Sequence, residues 1–182
     1  METKNKIYSR EEVFAETLKY FKGNVLAANV WIDKYSLKDK DRNIYELTPN
    51  DMHWRLANEL ARIENNYKNP IQANEIFELL KDFKYIVPQG SPMAGIGNDF
   101  IVTSISNCFV IDSPIDSYGG IFKADQEQVQ LMKRRGGVGQ DLSNIRPTGT
   151  LANGVILKGD TGRTLYMNRY SSSTREVAQD GR

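Results

Sequence analysis

The chain has 182 residues, 40% of them hydrophobic and 26% charged, with 24 Lys and Arg against 23 Asp and Glu, one cysteine and one histidine. A formal net charge of +1 provides no whole-molecule field for nucleic acid or an anionic membrane surface. No apolar stretch approaches the roughly 18 residues that a membrane helix needs. One cysteine and one histidine exclude an internal disulfide and a zinc site of nitrogen and sulfur ligands, so no metal site is expected within these residues. Without a hydrophobic signal core after Met1, a cytoplasmic location is expected.

The first part of the chain reads as helical. Ser9-Arg10-Glu11-Glu12 has the form of a capping box, followed by Val13, Phe14, Leu18 and Phe21 at helical spacing up to Gly23. A second helix fits Val25 to Tyr35, with Leu26, Val30 and Trp31 as core positions. Thr48-Pro49 combines an N-cap with proline at the first helical position. Met52, Leu56, Leu60, Ile63 and Tyr67 then mark one face of a long helix. Asn69-Pro70 repeats the start signal before Ile76, Phe77, Leu80 and Phe83. Trp31 and Trp54 are expected in the core, and His53 at the surface or its boundary. No catalytic constellation is visible before Pro88.

From Pro88 the character changes to glycines and turn residues, then to the β-branched and aromatic run Phe100 to Ile111, which predicts a strand. Cys108 lies in that run; read alone, it is either a small buried hydrophobe or a thiol at a cleft. Asp116-Ser117 offers an N-cap for a helix from Tyr118 to about Arg134. Lys133-Arg134-Arg135-Gly136-Gly137-Val138-Gly139 then reads as a cationic helix end closed by glycine, or as a cradle for phosphate. A strand from Val138 to Ile145, a flexible segment from Arg146 to Gly154 and a helix from Leu165 to Val177 complete the reading.

These motifs carry a family resemblance. Ser106-Asn107-Cys108-Phe109-Val110-Ile111, Asp116-Ser117, Arg135-Gly136-Gly137-Val138-Gly139, Ile145-Arg146-Pro147-Thr148-Gly149 and Arg175-Glu176-Val177-Ala178-Gln179-Asp180-Gly181-Arg182 occur in an order and spacing that resembles the ribonucleotide reductase large subunit. Asn29 to Tyr35 and the helix after Thr48-Pro49 are similar to that family's helical domain. The resemblance implies a helical domain over residues 1–87, and over 88–182 the first strand–helix units of a ten-stranded α/β barrel. At about 30 residues per unit, the barrel is incomplete within these residues.

The resemblance also implies roles. Cys108 would be one thiol of a redox pair that reduces the substrate ribose, with its partner cysteine elsewhere. Ser91, Asn107, Gly136 and Gly137 would contact the ribonucleotide. Asp116, Ser117, Tyr118, Lys133, Arg146, Asn153 and Gly154 would bind an allosteric deoxynucleoside triphosphate or ATP, accompanied by Mg2+. Gln179, Asp180, Gly181 and Arg182 would begin the loop that links effector to substrate. The implied partners are another polypeptide completing the barrel, a second large subunit in a dimer, and a radical source, either a metal-containing small subunit or cobalamin. From the residues alone, Asp116 reads as an N-cap and Arg146 as a surface charge. A non-catalytic nucleotide-binding module and a helical interaction protein therefore remain as other readings.

Overall fold

The computed structural model describes residues 6–158 and 162–177. The chain divides into two compact units, residues 1–105 and 106–182.

The first unit is built from α1 (Arg10–Tyr20), α2 (Val25–Lys34), α3 (Pro49–Glu64), α4 (Ala73–Leu80) and the short α5 (Gly90–Gly95), with a 3-10 turn at Lys81–Phe83. Local chemistry sets most of the starts. Ser9 and Glu12 exchange side-chain and backbone hydrogen bonds at the head of α1. Asn24 accepts from the Ala27 amide at the head of α2. Asp51 accepts from the Leu47 and Thr48 amides, at 2.8 and 2.9 Å, at the head of α3. The expected start at Asn69-Pro70 is displaced. Asn69 has a φ of 59°, a left-handed conformation that no N-cap adopts. The helix begins at Ala73, where Gln72 and Glu75 form the reciprocal pair. Residues around Pro88, expected to be turns, form α5.

The core of this unit gathers Val13, Trp31, Ile32, Ile44, Met52, Leu56, Ala57, Ile76, Phe77 and Leu80. Several expected core positions lie outside it. Leu26 is exposed, and the α3 stripe outruns the core, leaving Leu60, Ile63 and Tyr67 exposed. Trp54 is 40% exposed, with its ring stacked at 4.1 Å on Phe77. His53 reverses the opposite way. It is fully buried, its ring edge-on to Phe83 at 4.7 Å, and neither ring nitrogen has a hydrogen-bond partner. Burial drives its pKa down to about 4, because a charged imidazole there would lose its hydration.

The second unit contains β1 (Cys108–Val110), α6 (Tyr118–Met132), β2 (Gly137–Gly139), β3 (Leu151–Ala152), β4 (Val155–Ile156) and α7 (Arg163–Val177). β1 and β2 pair in parallel, Cys108 opposite Gly137, Phe109 opposite Val138 and Val110 opposite Gly139, so β1–α6–β2 is a strand–helix–strand unit. Both strands are shorter than expected. Asn98 accepts from the Phe100 amide, opening the expected run with a turn. Asp141 accepts from both the amide and the hydroxyl of Ser143, turning the chain away after Gly139.

The segment expected to be flexible contains an antiparallel hairpin, with Leu151 opposite Ile156 and Ala152 opposite Val155. Its turn is Asn153-Gly154, with φ of 51° and 77°. Two consecutive left-handed residues favour Asn-Gly, and their twist matches that of the flanking strands. Ile121, Ala124, Ile145 and Tyr170 form the core of this unit, with Ile111, Leu142 and Tyr166 packed against it.

Candidate functional site

A cavity of about 410 Å³ lies in the second unit, lined by Asp116, Ser117, Tyr118, Arg146, Asn153 and Tyr166, among others. Ser117 caps α6, accepting from the Gly120 amide at 3.1 Å. Asp116 and Tyr118 flank that cap, at the positive end of the helix dipole. Arg146 arrives from 30 residues downstream. Its Nε donates to Asp116 Oδ2 at 2.5 Å, and an Nη donates to the Asp116 carbonyl at 3.3 Å. Asp116 is therefore more than an N-cap neighbour, and Arg146 more than a free surface charge. Asn153 enters from the hairpin turn, while Ile121, Leu157, Leu165 and Tyr166 supply apolar and aromatic wall. The cavity thus joins a guanidinium and a carboxylate to flat apolar surface. That combination suits a ligand with an anionic group, hydroxyls and a planar ring.

Two residues expected here lie elsewhere. Lys133 is exposed at the C-terminal end of α6, about 20 Å along a 15-residue helix from the capping end. Gly154 forms the hairpin turn beside Asn153 and does not line the cavity. Conversely, Tyr166 and Leu165 were not singled out from the sequence. The signal for Tyr166 was its spacing of four from Tyr170, which places both on one face of α7. Tyr170 is buried and donates its hydroxyl to the Ile121 carbonyl at 3.0 Å. Partial burial, helped by neighbouring Tyr118 and Asp116, raises the Tyr166 pKa, so its hydroxyl stays a neutral donor.

A second cluster surrounds the parallel ladder. Cys108 is a free, exposed thiol, which removes the buried-hydrophobe reading of the two that the sequence left open. Strand alternation turns Phe109 inward and leaves its neighbours Cys108 and Val110 outward. Gly137 faces Cys108 across the ladder and donates its amide to the Asn107 carbonyl at 2.6 Å. α6 closes with the Arg135 amide on Met132 and the Gly136 amide on Leu131, the two bonds of a Schellman turn. The left-handed residue in that turn is Arg135, at φ 70°, rather than the glycine expected. Gly136 is required for space: a Cβ there would stand 2.7 Å from the Phe109 ring. Gly136→Ala is expected to lower stability by about 1–3 kcal/mol, measured as the urea midpoint at unchanged slope.

Ser91 lies in the first unit, buried on α5. Gln179, Asp180, Gly181 and Arg182 lie outside the described residues. Among the described residues no three His, Cys, Asp or Glu side chains cluster to hold a metal ion, and no helix is long and apolar enough to cross a membrane.

Residues 21–97 match the family model for the ribonucleotide reductase all-alpha domain, and residues 106–182 match the model for the ribonucleotide reductase barrel domain. The chain belongs to the ribonucleotide reductase large-subunit family. It is 32% identical over 134 residues to the ribonucleoside-diphosphate reductase subunit alpha of Helicobacter pylori strain ATCC 700392 / 26695, over 74% of this chain and 16% of that protein. Over 78 residues it is 35% identical to the ribonucleoside-diphosphate reductase large chain of Cryptosporidium parvum, covering 42% of this chain and 10% of that protein. The chain thus spans about one sixth of the length of the Helicobacter relative. In reductase terms, the helical first unit contains the all-alpha match, and β1–α6–β2 falls in the barrel-domain match. No closed barrel forms among the described residues, as expected for part of one.

Proposed function

We propose that this chain contributes to the reduction of ribonucleotides to deoxyribonucleotides, supplying one redox thiol and much of an allosteric nucleotide site. The observation that carries this reading is the exposed Cys108 thiol on β1, beside the Gly136-Gly137 backbone, in a chain of this family. Closing a dithiol to a disulfide releases two electrons and two protons. Those replace one ribose C–OH by C–H, with the oxygen leaving as water. Cys108 is the one cysteine in these residues, so the second thiol belongs to the remainder of the enzyme, as does the radical source. Asn107, Gly136 and Gly137 would place backbone against the nucleotide, and Ser91 is assigned a substrate contact of its own.

The cavity at Asp116 and Arg146 is assigned to the effector, a deoxynucleoside triphosphate or ATP. Asp116 would accept from the sugar hydroxyl, Arg146 would meet a phosphate, and Ser117, Tyr118, Asn153 and Tyr166 would enclose the remainder. Asp116 is the single carboxylate among the described residues lining the cavity, and it is already paired with Arg146. That donor set does not build a Mg2+ cage. A magnesium ion accompanying the effector would be held by its phosphate oxygens and water.

The test uses the assembled reductase containing this chain. Cys108→Ser is expected to abolish dithiol-dependent formation of deoxyribonucleotide while leaving effector affinity unchanged. Arg146→Ala is expected to raise the effector Kd about 10- to 100-fold, the equivalent of about 1.5–3 kcal/mol for a hydrogen bond to a charged group. Reduction that survives Cys108→Ser, with effector binding intact, would instead favour a purely regulatory nucleotide-binding module.

A further inference from the structure

We propose that Arg55, held in a buried ion pair with Glu46, is the positioning residue for the turn that carries Ser91. The proposal rests on the reading of Ser91 as a substrate contact. The Arg55 and Glu46 side chains are 8% and 4% exposed, and their Nε to Oε1 distance is 2.7 Å. Glu46 is fixed from the other side, its Oε2 accepting from the Leu37 amide at 2.7 Å. The remaining guanidinium donors go to backbone carbonyls: Ile96, Met93 at 2.9 Å, and Tyr35 at 3.5 Å. One side chain of α3 therefore ties the C-terminal end of α2 to the C-terminal end of α5.

The composition of α5 makes that tie decisive. Its six residues are Gly90-Ser91-Pro92-Met93-Ala94-Gly95, and only Met93 among them offers a long apolar side chain for packing. A helix this short, with so little apolar area, has no deep packing minimum of its own. Met93 alone anchors it in the core, and charge-assisted hydrogen bonds to its end carbonyls fix its orientation about that anchor and complement the negative end of its dipole. The chain beyond α5 folds closely over the same side chain. Gly97, at φ 70°, leaves no room for a Cβ, which would fall 2.8 Å from Arg55 Cγ. Ser91 stands two residues before Met93 and five before Ile96, whose carbonyls Arg55 holds, so a shift of Arg55 is passed to Ser91 through the helix.

The experiment is steady-state kinetics of the assembled reductase carrying Ser91→Ala, Arg55→Lys, Glu46→Gln and the Ser91→Ala/Arg55→Lys double variant, with cytidine diphosphate and cytidine triphosphate as probe substrates. Each single change is expected to raise KM about tenfold, as a displaced contact does, with kcat and effector affinity little changed. The double variant is expected to be no worse than the worse single, because both act through one contact. Glu46→Gln retains side-chain volume and one acceptor oxygen, and so reports even where Arg55→Lys does not fold. A KM raised by Ser91→Ala but not by Glu46→Gln overturns the proposal alone, as do fully additive effects in the double variant. A KM unmoved by Ser91→Ala overturns the reading of Ser91, and the proposal with it.

Discussion

Replacing Arg55 with leucine is expected to lower the unfolding free energy by about 3–5 kcal/mol, because the change leaves Glu46 buried without its counter-charge. The Glu46 carboxylate is already pushed up in pKa by burial, with Arg55 and the Leu37 amide opposing that push. Removal of Arg55 pushes it further. At neutral pH the unfolded chain carries Glu46 ionised while the folded variant resists ionisation, so stability falls as pH rises above the ordinary carboxylate range. The penalty shrinks as pH falls and Glu46 becomes protonated in both states. Glu46→Leu/Arg55→Leu is expected to recover only part of the loss, since it removes the unpaired charge but leaves the Leu37 amide and the Met93 and Ile96 carbonyls without their side-chain partners. Urea titrations at pH 7 and pH 5 check each point. A loss below about 1 kcal/mol for the single variant would mean that the pair is open to solvent.

The second large effect is a decline in stability on acidification, traceable to His53. Its folded pKa is about 4, below the ordinary value of 6.5, because the ring is wholly buried; nearby Asp82 opposes the shift only in part. Above pH 6.5 both states are neutral at this residue and it contributes no slope. Between pH 6.5 and 4 the unfolded chain binds a proton that the folded chain refuses, so stability falls with falling pH, by about 3 kcal/mol in all. His53→Leu is expected to flatten that part of the profile. Neither ring nitrogen holds a hydrogen bond that leucine would break, and the contact with Phe83 is apolar on both sides. The difference between the two proteins, followed by urea denaturation from pH 7 to pH 4.5, removes the common contribution of the carboxylates. Parallel profiles would show that His53 titrates normally and that its pocket admits water.

Both effects come from residues whose setting the sequence did not disclose. His53 stands between Met52 and Trp54, and nothing local decides which of the three turns inward. The structure buries Met52 and His53 and leaves Trp54 40% exposed, because the first two meet the core and the 3-10 turn while the indole lies against the Phe77 ring at the edge of the core. Glu46, in the segment before α3, and Arg55, on α3, are nine residues apart, and two of the carbonyls that Arg55 serves lie about forty residues further on.

The candidate site divides the same way. Its helix start, Asp116-Ser117, is legible because an N-cap is a hydrogen bond over three residues. The pairing of Asp116 with Arg146, and the Tyr166 wall, depend on how α7 and the segment after β2 pack on α6. Strand lengths failed because a β-branched run specifies a conformation but not a partner. The ladder is only as long as the partner that the turn at Asp141–Ser143 allows. The hairpin at Asn153-Gly154 is the reverse case: Asn-Gly is a strong local turn signal, and the structure closes a hairpin on it where a flexible segment is expected.

The amino-acid sequence by itself determined the family, the order of the helices other than α5 and the caps that begin α1, α3 and α6, because each depends on side chains within a few residues of one another or on motifs in linear order. Only the tertiary structure decided that Cys108 is exposed, that His53 is buried, that Arg146 reaches Asp116 and that Arg55 grips α5. Each of those facts is a contact between segments distant along the chain, and burial and charge pairing are properties of the neighbours a fold assembles.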